Sequence, residues 1–213
     1  MVDAFRAEGL RTGFYHSLID WHHPDYRIDP YIGPYRNAEN RDAMNEERDQ
    51  QKYADYLHAQ VRELLTQFGT IDVLWFDFSY PWRGPEGKGH KDWRSEELYR
   101  LVRELMPQVV LNDRLDLESG WDVKPPEQYQ PRRWFTVDGQ QVVWEACQTF
   151  SGSWGYHRDE ASWKSPEMLV QMLADSVSKG GNLLLNVGPT GRGELDERAL
   201  NRLQAMGEWM YRH

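Results

Sequence analysis

A single cysteine, Cys147, is the only thiol in 213 residues. It can form no internal disulfide, and no cysteine-based zinc site is plausible. The compartment stays open, because many secreted proteins carry no disulfide. Cationic residues are in deficit, 25 Lys and Arg against 34 Asp and Glu, for a net charge of −9. That balance argues against nucleic acid and against an anionic membrane as partners. No apolar stretch approaches the length that spans a bilayer. Met1-Val2-Asp3-Ala4-Phe5 has no basic lead and no apolar run after it, so no signal peptide is expected in this chain. Internal repeats and low-complexity segments are absent too. What the chain has in excess is aromatic rings, with ten Trp and 11 Tyr. Some must build the core; others, beside acids, suit stacking on the C–H faces of sugars. The length suffices for one sizeable domain.

The most informative stretch is Ile71-Asp72-Val73-Leu74-Trp75-Phe76-Asp77. It is short, apolar and preceded by Gly69, which reads as a buried parallel strand. Its last residue is an acid, at the end where α/β barrels place their chemistry.

Taken in order, residues 4–10 read as the end of a helix and 12–18 as a strand. The loop that follows holds Asp20, His22, His23 and Asp25. Adjacent histidines diverge on an extended backbone, and Pro24 prevents a helix that would realign them. We therefore expect a loop at the mouth of a site rather than a metal centre. Residues 26–45 read as a surface loop. A helix is predicted over 46–68, with Leu57, Val61, Leu64, Leu65 and Phe68 on one face. Residues 82–93, rich in glycine, read as a flexible loop, and Ser95 as the N-cap of a helix ending before Pro107. A strand is predicted over 109–114 and a loop over 115–135. A second strand covers 142–150, with a loop at 151–156 after it. Ser165-Pro166 opens a helix that ends at Gly180-Gly181. A strand over 182–187 and a helix over about 196–209 complete the chain. Five strands alternating with helices imply an α/β fold with a parallel sheet. A closed (β/α)8 barrel needs eight, so the reading is a partial barrel, the last five βα units without the first strands.

Glycoside cleavage uses two carboxyl groups flanking the anomeric carbon. Asp77 suits the nucleophile, fixed at a strand end near Trp75 and Arg114. Glu127 suits the acid/base, on a segment stiffened by Pro125 and Pro126. Glu118 and Glu145 compete for that second role, and spacing alone does not choose among the three.

The chain resembles the α-L-fucosidases of glycoside hydrolase family 29. The blocks that carry this are Gly13 to Tyr26, Leu74-Trp75-Phe76-Asp77, Asn112-Asp113-Arg114, Pro126-Glu127, Trp144-Glu145, Ser153-Trp154-Gly155-Tyr156 and Val177 to Pro189. They follow the family's order over nearly the whole chain, and the last is the most specific. The resemblance implies a retaining exo-glycosidase acting on terminal α-L-fucosyl residues of glycans. It implies Asp77 as nucleophile and Glu127 as acid/base, with Tyr15, Trp75, Arg114 and Trp154 lining the sugar pocket. No metal or cofactor is implied. His16 alternates with Tyr15 and is expected either to support the site residues from behind or to be structural, and Glu145 is expected to be a fixed structural acid. The family's upstream His-Trp-Gly and Lys-His-His-Asp-Gly motifs have no counterpart here, nor does a C-terminal β-sandwich. We therefore expect residues 1–213 to be the C-terminal part of a catalytic barrel, with open sheet edges that favour self-association.

Overall fold

A computed structural model describes residues 1–31 and 33–213. It divides into two compact units, Met1–Asp122 and Val123–His213.

The first unit is built on a three-stranded parallel sheet in the order β1-β2-β3. These strands are β1 (Gly13–Ser17), β2 (Val73–Asp77) and β3 (Val110–Leu111). The helices of the unit are α1 (Val2–Ala7), α2 (Arg41–Asn45), α3 (Gln50–Gln67), α4 (His90–Trp93) and α5 (Ser95–Leu105). Both β1–β2 and β2–β3 are parallel pairs, with α3 and α5 in the respective crossovers. The core follows from two periodicities. Leu74 and Phe76 alternate on one face of β2, and Leu57, Val61 and Leu65 recur along α3. With Leu98 and Val102 of α5 and Trp93, they form one buried cluster. Tyr15, Trp75 and Asp77 belong to the other face of the sheet.

Several predicted boundaries shift, each for a local reason. Helix α3 starts at Gln50 rather than 46, because the Asp49 carboxylate accepts from the Gln51 and Lys52 amides. Ser95 is the first residue of α5 and not its cap; Arg94, in the left-handed region at φ 47°, turns the chain directly from α4 into α5. Residues 82–93 are more ordered than a loop, since Pro81–Arg83 form a 3-10 turn and His90–Trp93 form α4. The predicted loop 26–45 contains α2, and Ile32 within it lies outside the described residues. Strand 109–114 contracts to two residues. Asn112 takes over from the backbone there: its side chain accepts from Phe76 N at 3.0 Å and donates to Phe76 O at 2.8 Å.

In the second unit, β6 (Glu145–Thr149) pairs in parallel with β7 (Asn182–Asn186) through the crossover helix α6 (Pro166–Ser178). Ser165 caps α6 as expected, accepting from Met168 N at 3.3 Å. Helix α7 (Glu197–Arg212) closes the unit. Phe150, Leu169 and Met206 are its buried centre, with Trp163, Leu173, Leu185 and Val187 packed around them. A short hairpin, β4 (Thr136–Val137) and β5 (Gln140–Gln141), lies between the predicted loop 115–135 and the predicted strand 142–150. Its turn is Asp138-Gly139 with φ 50° and 78°, the left-handed pair that an Asp-Gly dipeptide favours. Among the described residues, no helix is long and apolar enough to cross a membrane.

Candidate active site

Asp77 is the last residue of β2, the central strand of its sheet. Its backbone is fixed on the β1 side, where Leu18 N donates to Asp77 O at 3.0 Å. The next residue, Phe78, is in the left-handed region at φ 76°. An aromatic residue there is strained, and the sharp turn carries the chain away from the sheet directly after the acid. Phe78 N donates to Asp77 Oδ1 at 2.9 Å, so the turn also holds the carboxylate.

Around that carboxylate the sheet places three of the expected residues. Register sets Tyr15 opposite Trp75, and the Tyr15 hydroxyl donates to Asp77 Oδ2 at 2.8 Å. The Tyr15 and Trp75 rings stack with centroids 5.7 Å apart. Arg114 Nη1 lies 3.9 Å from Asp77 Oδ1, and its guanidinium stands 5.4 Å from the Trp75 ring centroid. Trp75 is 7% exposed while Tyr15 is 58% exposed, so Tyr15 offers the open aromatic surface and Trp75 organises its neighbours. His16 faces the other way, against Phe76. Burial holds its imidazole below the ordinary pKa, with the Ser17 backbone and the Gln60 side chain opposing.

Sequence reasoning missed the supports beneath these groups. Trp93 Nε1 donates to Ser79 Oγ at 3.1 Å, and Ser79 Oγ donates to the Arg114 carbonyl at 2.6 Å, a chain from the buried core to the Arg114 backbone. The loops after β1 and β2 are joined by a buried ion pair, Lys88 Nζ to Asp29 Oδ2 at 2.5 Å. The Tyr80 hydroxyl donates to the same oxygen at 2.7 Å. Burial would push the Asp29 carboxyl up, but Lys88, Tyr80 and the Tyr31 amide together hold it below its ordinary value. No spacing rule marks Lys88 in its glycine-rich stretch. In the 20–25 loop the Asp20 and His23 side chains serve the turn itself, with His22 N donating to Asp20 Oδ1 and Asp25 N to His23 Nδ1. His23 also stacks on Tyr56, 4.3 Å between centroids.

The second unit holds the remaining candidates apart from Glu118. Glu127 is exposed. Its segment is not a plain loop, because Lys124 and Glu127 bridge in parallel onto Trp144 and Cys147 beside β6. Pro125 and Pro126 lack amide hydrogens, so the pairing stays partial: Pro126 O accepts from Cys147 N and Gln128 N donates to Cys147 O, both at 2.9 Å. Gln128, like Phe78, is left-handed, at φ 60°. Trp154 is 41% exposed on the loop after β6. Glu145 begins β6 and is half-buried, and Glu118 is exposed in the first unit.

A strand-end carboxylate held by a tyrosine hydroxyl and faced by a guanidinium matches the working parts of a glycoside hydrolase on an α/β scaffold. The comparison with known proteins narrows this class. A profile of the alpha-L-fucosidase family matches residues 1–213, and the chain belongs to that family. Alpha-L-fucosidase isoenzyme 1 from Paenibacillus thiaminolyticus is similar at 43% identity and a TM-score of 0.89, over 99% of this chain and 51% of that one. A Thermotoga maritima alpha-fucosidase, solved with a mechanism-based inhibitor, shares 32% identity at a TM-score of 0.72, covering 99% of this chain and 44% of that one. The alpha-L-fucosidase of Branchiostoma floridae is 30% identical over 94% of this chain and 41% of its own length. The chain thus spans about two-fifths of the curated relatives it matches, 41% in the Branchiostoma and Bos taurus enzymes.

Proposed function

We propose that this chain supplies the catalytic strand of a retaining exo-α-L-fucosidase, with Asp77 as nucleophile and Glu127 as acid/base. The observation that carries the reading is the Asp77 carboxylate, presented at a strand end with a Tyr15 hydroxyl and the Arg114 guanidinium around it. Asp77 attacks the anomeric carbon, forming a fucosyl–enzyme ester, while Glu127 protonates the leaving oxygen. Glu127 then takes a proton from the water that cleaves the ester, and retention follows from the two displacements. Tyr15 and Trp154 offer ring surface to the C6 methyl and C–H face of fucose, and Arg114 offers fixed donors to its oxygens. The substrates are fucosylated glycans or oligosaccharides.

In the same reading, the five parallel strands β1, β2, β3, β6 and β7 are the last βα repeats of a (β/α)8 barrel, and residues 1–213 are part of one catalytic domain. Similarity to the Paenibacillus enzyme over 99% of the chain supports this. The 41% coverage of curated relatives favours a second reading, a sugar-binding remnant that needs a further segment for turnover.

Hydrolysis of 4-nitrophenyl α-L-fucoside by the purified chain, beside Asp77→Asn, tests both. Release by the parent and its loss in the variant supports the enzyme reading with Asp77 at its centre. Equal release by both proteins sinks the assignment of Asp77. No release from a folded parent that still binds L-fucose selects the remnant.

A further inference from the structure

The block most specific to the family, Val177 to Pro189, carries none of the roles assigned above. Its end lies against the loop that bears Trp154. Asn186, the last residue of β7, donates Nδ2 to the Trp154 carbonyl at 2.6 Å. Two residues on, Gly188 meets the same loop. A Cβ built on it would come within 2.6 Å of both the Gly155 carbonyl carbon and the Tyr156 amide nitrogen. No side chain fits there without moving that backbone.

The far side of the loop is fastened separately. The Glu160 carboxylate accepts from Ser153 Oγ at 2.7 Å, from Ser162 Oγ at 2.6 Å and from Ser162 N at 2.7 Å. These donors, the Ser162 hydroxyl foremost, hold the Glu160 carboxyl at about 2. Arg198 of α7 donates to the Glu160 carbonyl at 3.0 Å, and its own guanidinium is gripped by Asp196 at 2.8 Å. The loop backbone is therefore tied on both sides of Trp154, whose ring remains 41% exposed. A fixed backbone beneath an open ring is what preorganised stacking requires, because the ring's orientation is settled before the ligand arrives.

We propose that Asn186 and Gly188 are positioning residues that set the Trp154 ring for stacking on the sugar. They act through the Trp154 carbonyl and the close backbone approach at Gly155–Tyr156. The proposal rests on the reading that Trp154 belongs to the fucose site. It gives the Asn186-Val187-Gly188 sequence a task that no catalytic group performs.

The test uses the full chain labelled with 5-fluorotryptophan, with the Trp154 resonance assigned through Trp154→Phe. Asn186→Asp keeps size but replaces the amide donor with an oxygen that repels the carbonyl. Gly188→Ala puts a methyl into the close approach. Both variants are expected to move or broaden the Trp154 fluorine signal and leave those of Trp75 and Trp93 in place. Both should also weaken L-fucose binding about fivefold or more, in the direction of Trp154→Phe. An unmoved Trp154 signal in Asn186→Asp, which is isosteric and decides the matter if Gly188→Ala fails to fold, overturns the proposal. So does parental fucose affinity in both variants when Trp154→Phe has lost it. If the signal moves but Trp154→Phe binds fucose like the parent, or the parent binds none, the clamp stands and the sugar role of Trp154 falls.

Discussion

Lys88→Met should destabilise the chain severely, although Lys88 lies outside the carboxylate cluster. The Lys88 and Asp29 side chains are 5% and 3% exposed. Removing the cation takes away the charge that faces this buried carboxylate, while the Tyr80 hydroxyl, the more distant Tyr26 hydroxyl and the Tyr31 amide still donate to it. Breaking a buried pair from one side costs about 3–5 kcal/mol. The remaining donors place this case at the lower end, about 3 kcal/mol. With a urea slope of about 2 kcal/mol/M, the unfolding midpoint falls by about 1.5 M. Lys88→Met combined with Asp29→Asn removes the uncompensated charge and should recover at least half of that loss. A single-variant cost under about 1 kcal/mol, the scale of an exposed pair, would refute the reasoning. So would a double variant no better than the single. The pH dependence carries the same signature. The folded Asp29 carboxyl is held below its ordinary 3.8, so the folded protein takes up its proton less readily than the unfolded chain does. Its contribution is fully present above that value and is lost as pH falls through the folded pKa. Asp29→Asn should flatten this part of the acid limb in urea titrations, and an unchanged limb would count against the assignment.

Two further perturbations have defined outcomes. Glu127→Gln should slow cleavage of a fucosyl disaccharide far more than that of 4-nitrophenyl fucoside, whose leaving group needs little protonation; equal losses on the two substrates would pass the role to Glu118 or Glu145. Asn112→Ala leaves the Phe76 amide and carbonyl without their side-chain partner inside the core. It should cost about 3 kcal/mol in thermal or urea unfolding and lower amide-exchange protection at Phe76; a loss near zero would mean water or backbone replaces the amide.

The parallel strands, the long helices and the place of Asp77 at a strand end are legible in the sequence because each rests on a local pattern. The apolar run before Asp77 announces β2, and the spacing of Leu57, Val61 and Leu65 announces α3. Ser165-Pro166 announces α6 through capping chemistry. What escaped depends on partners distant in the chain. Asn112 completes a strand with its side chain, and no periodicity records that. Pro125 and Pro126 argue for a loop, yet their carbonyls can still accept, and the segment settles beside β6. Arg94 at φ 47° defeats the capping rule that chose Ser95. The Asp138-Gly139 hairpin turn is the exception, since the dipeptide itself is a local turn signal. Nothing local distinguishes Lys88 from any other cation in a glycine-rich stretch. Only its neighbours from residues 26–31 and Tyr80 reveal a buried ion.

The side-chain hook at Asn112 also bears on how such a scaffold diversifies. The Phe76 end of β2, one residue short of Asp77, is secured by one amide group rather than by a continuing strand. The ladder of β3 stops at Leu111, and the chain beyond Asn112 is buried at Leu115 and exposed at Glu118 and Ser119. Length changes at the exposed Glu118-Ser119 tip would then leave the geometry of Asp77 untouched. Drift could reshape the loop after β3 while the β1 ladder on one side and a single asparagine on the other keep the strand that ends in Asp77 in register.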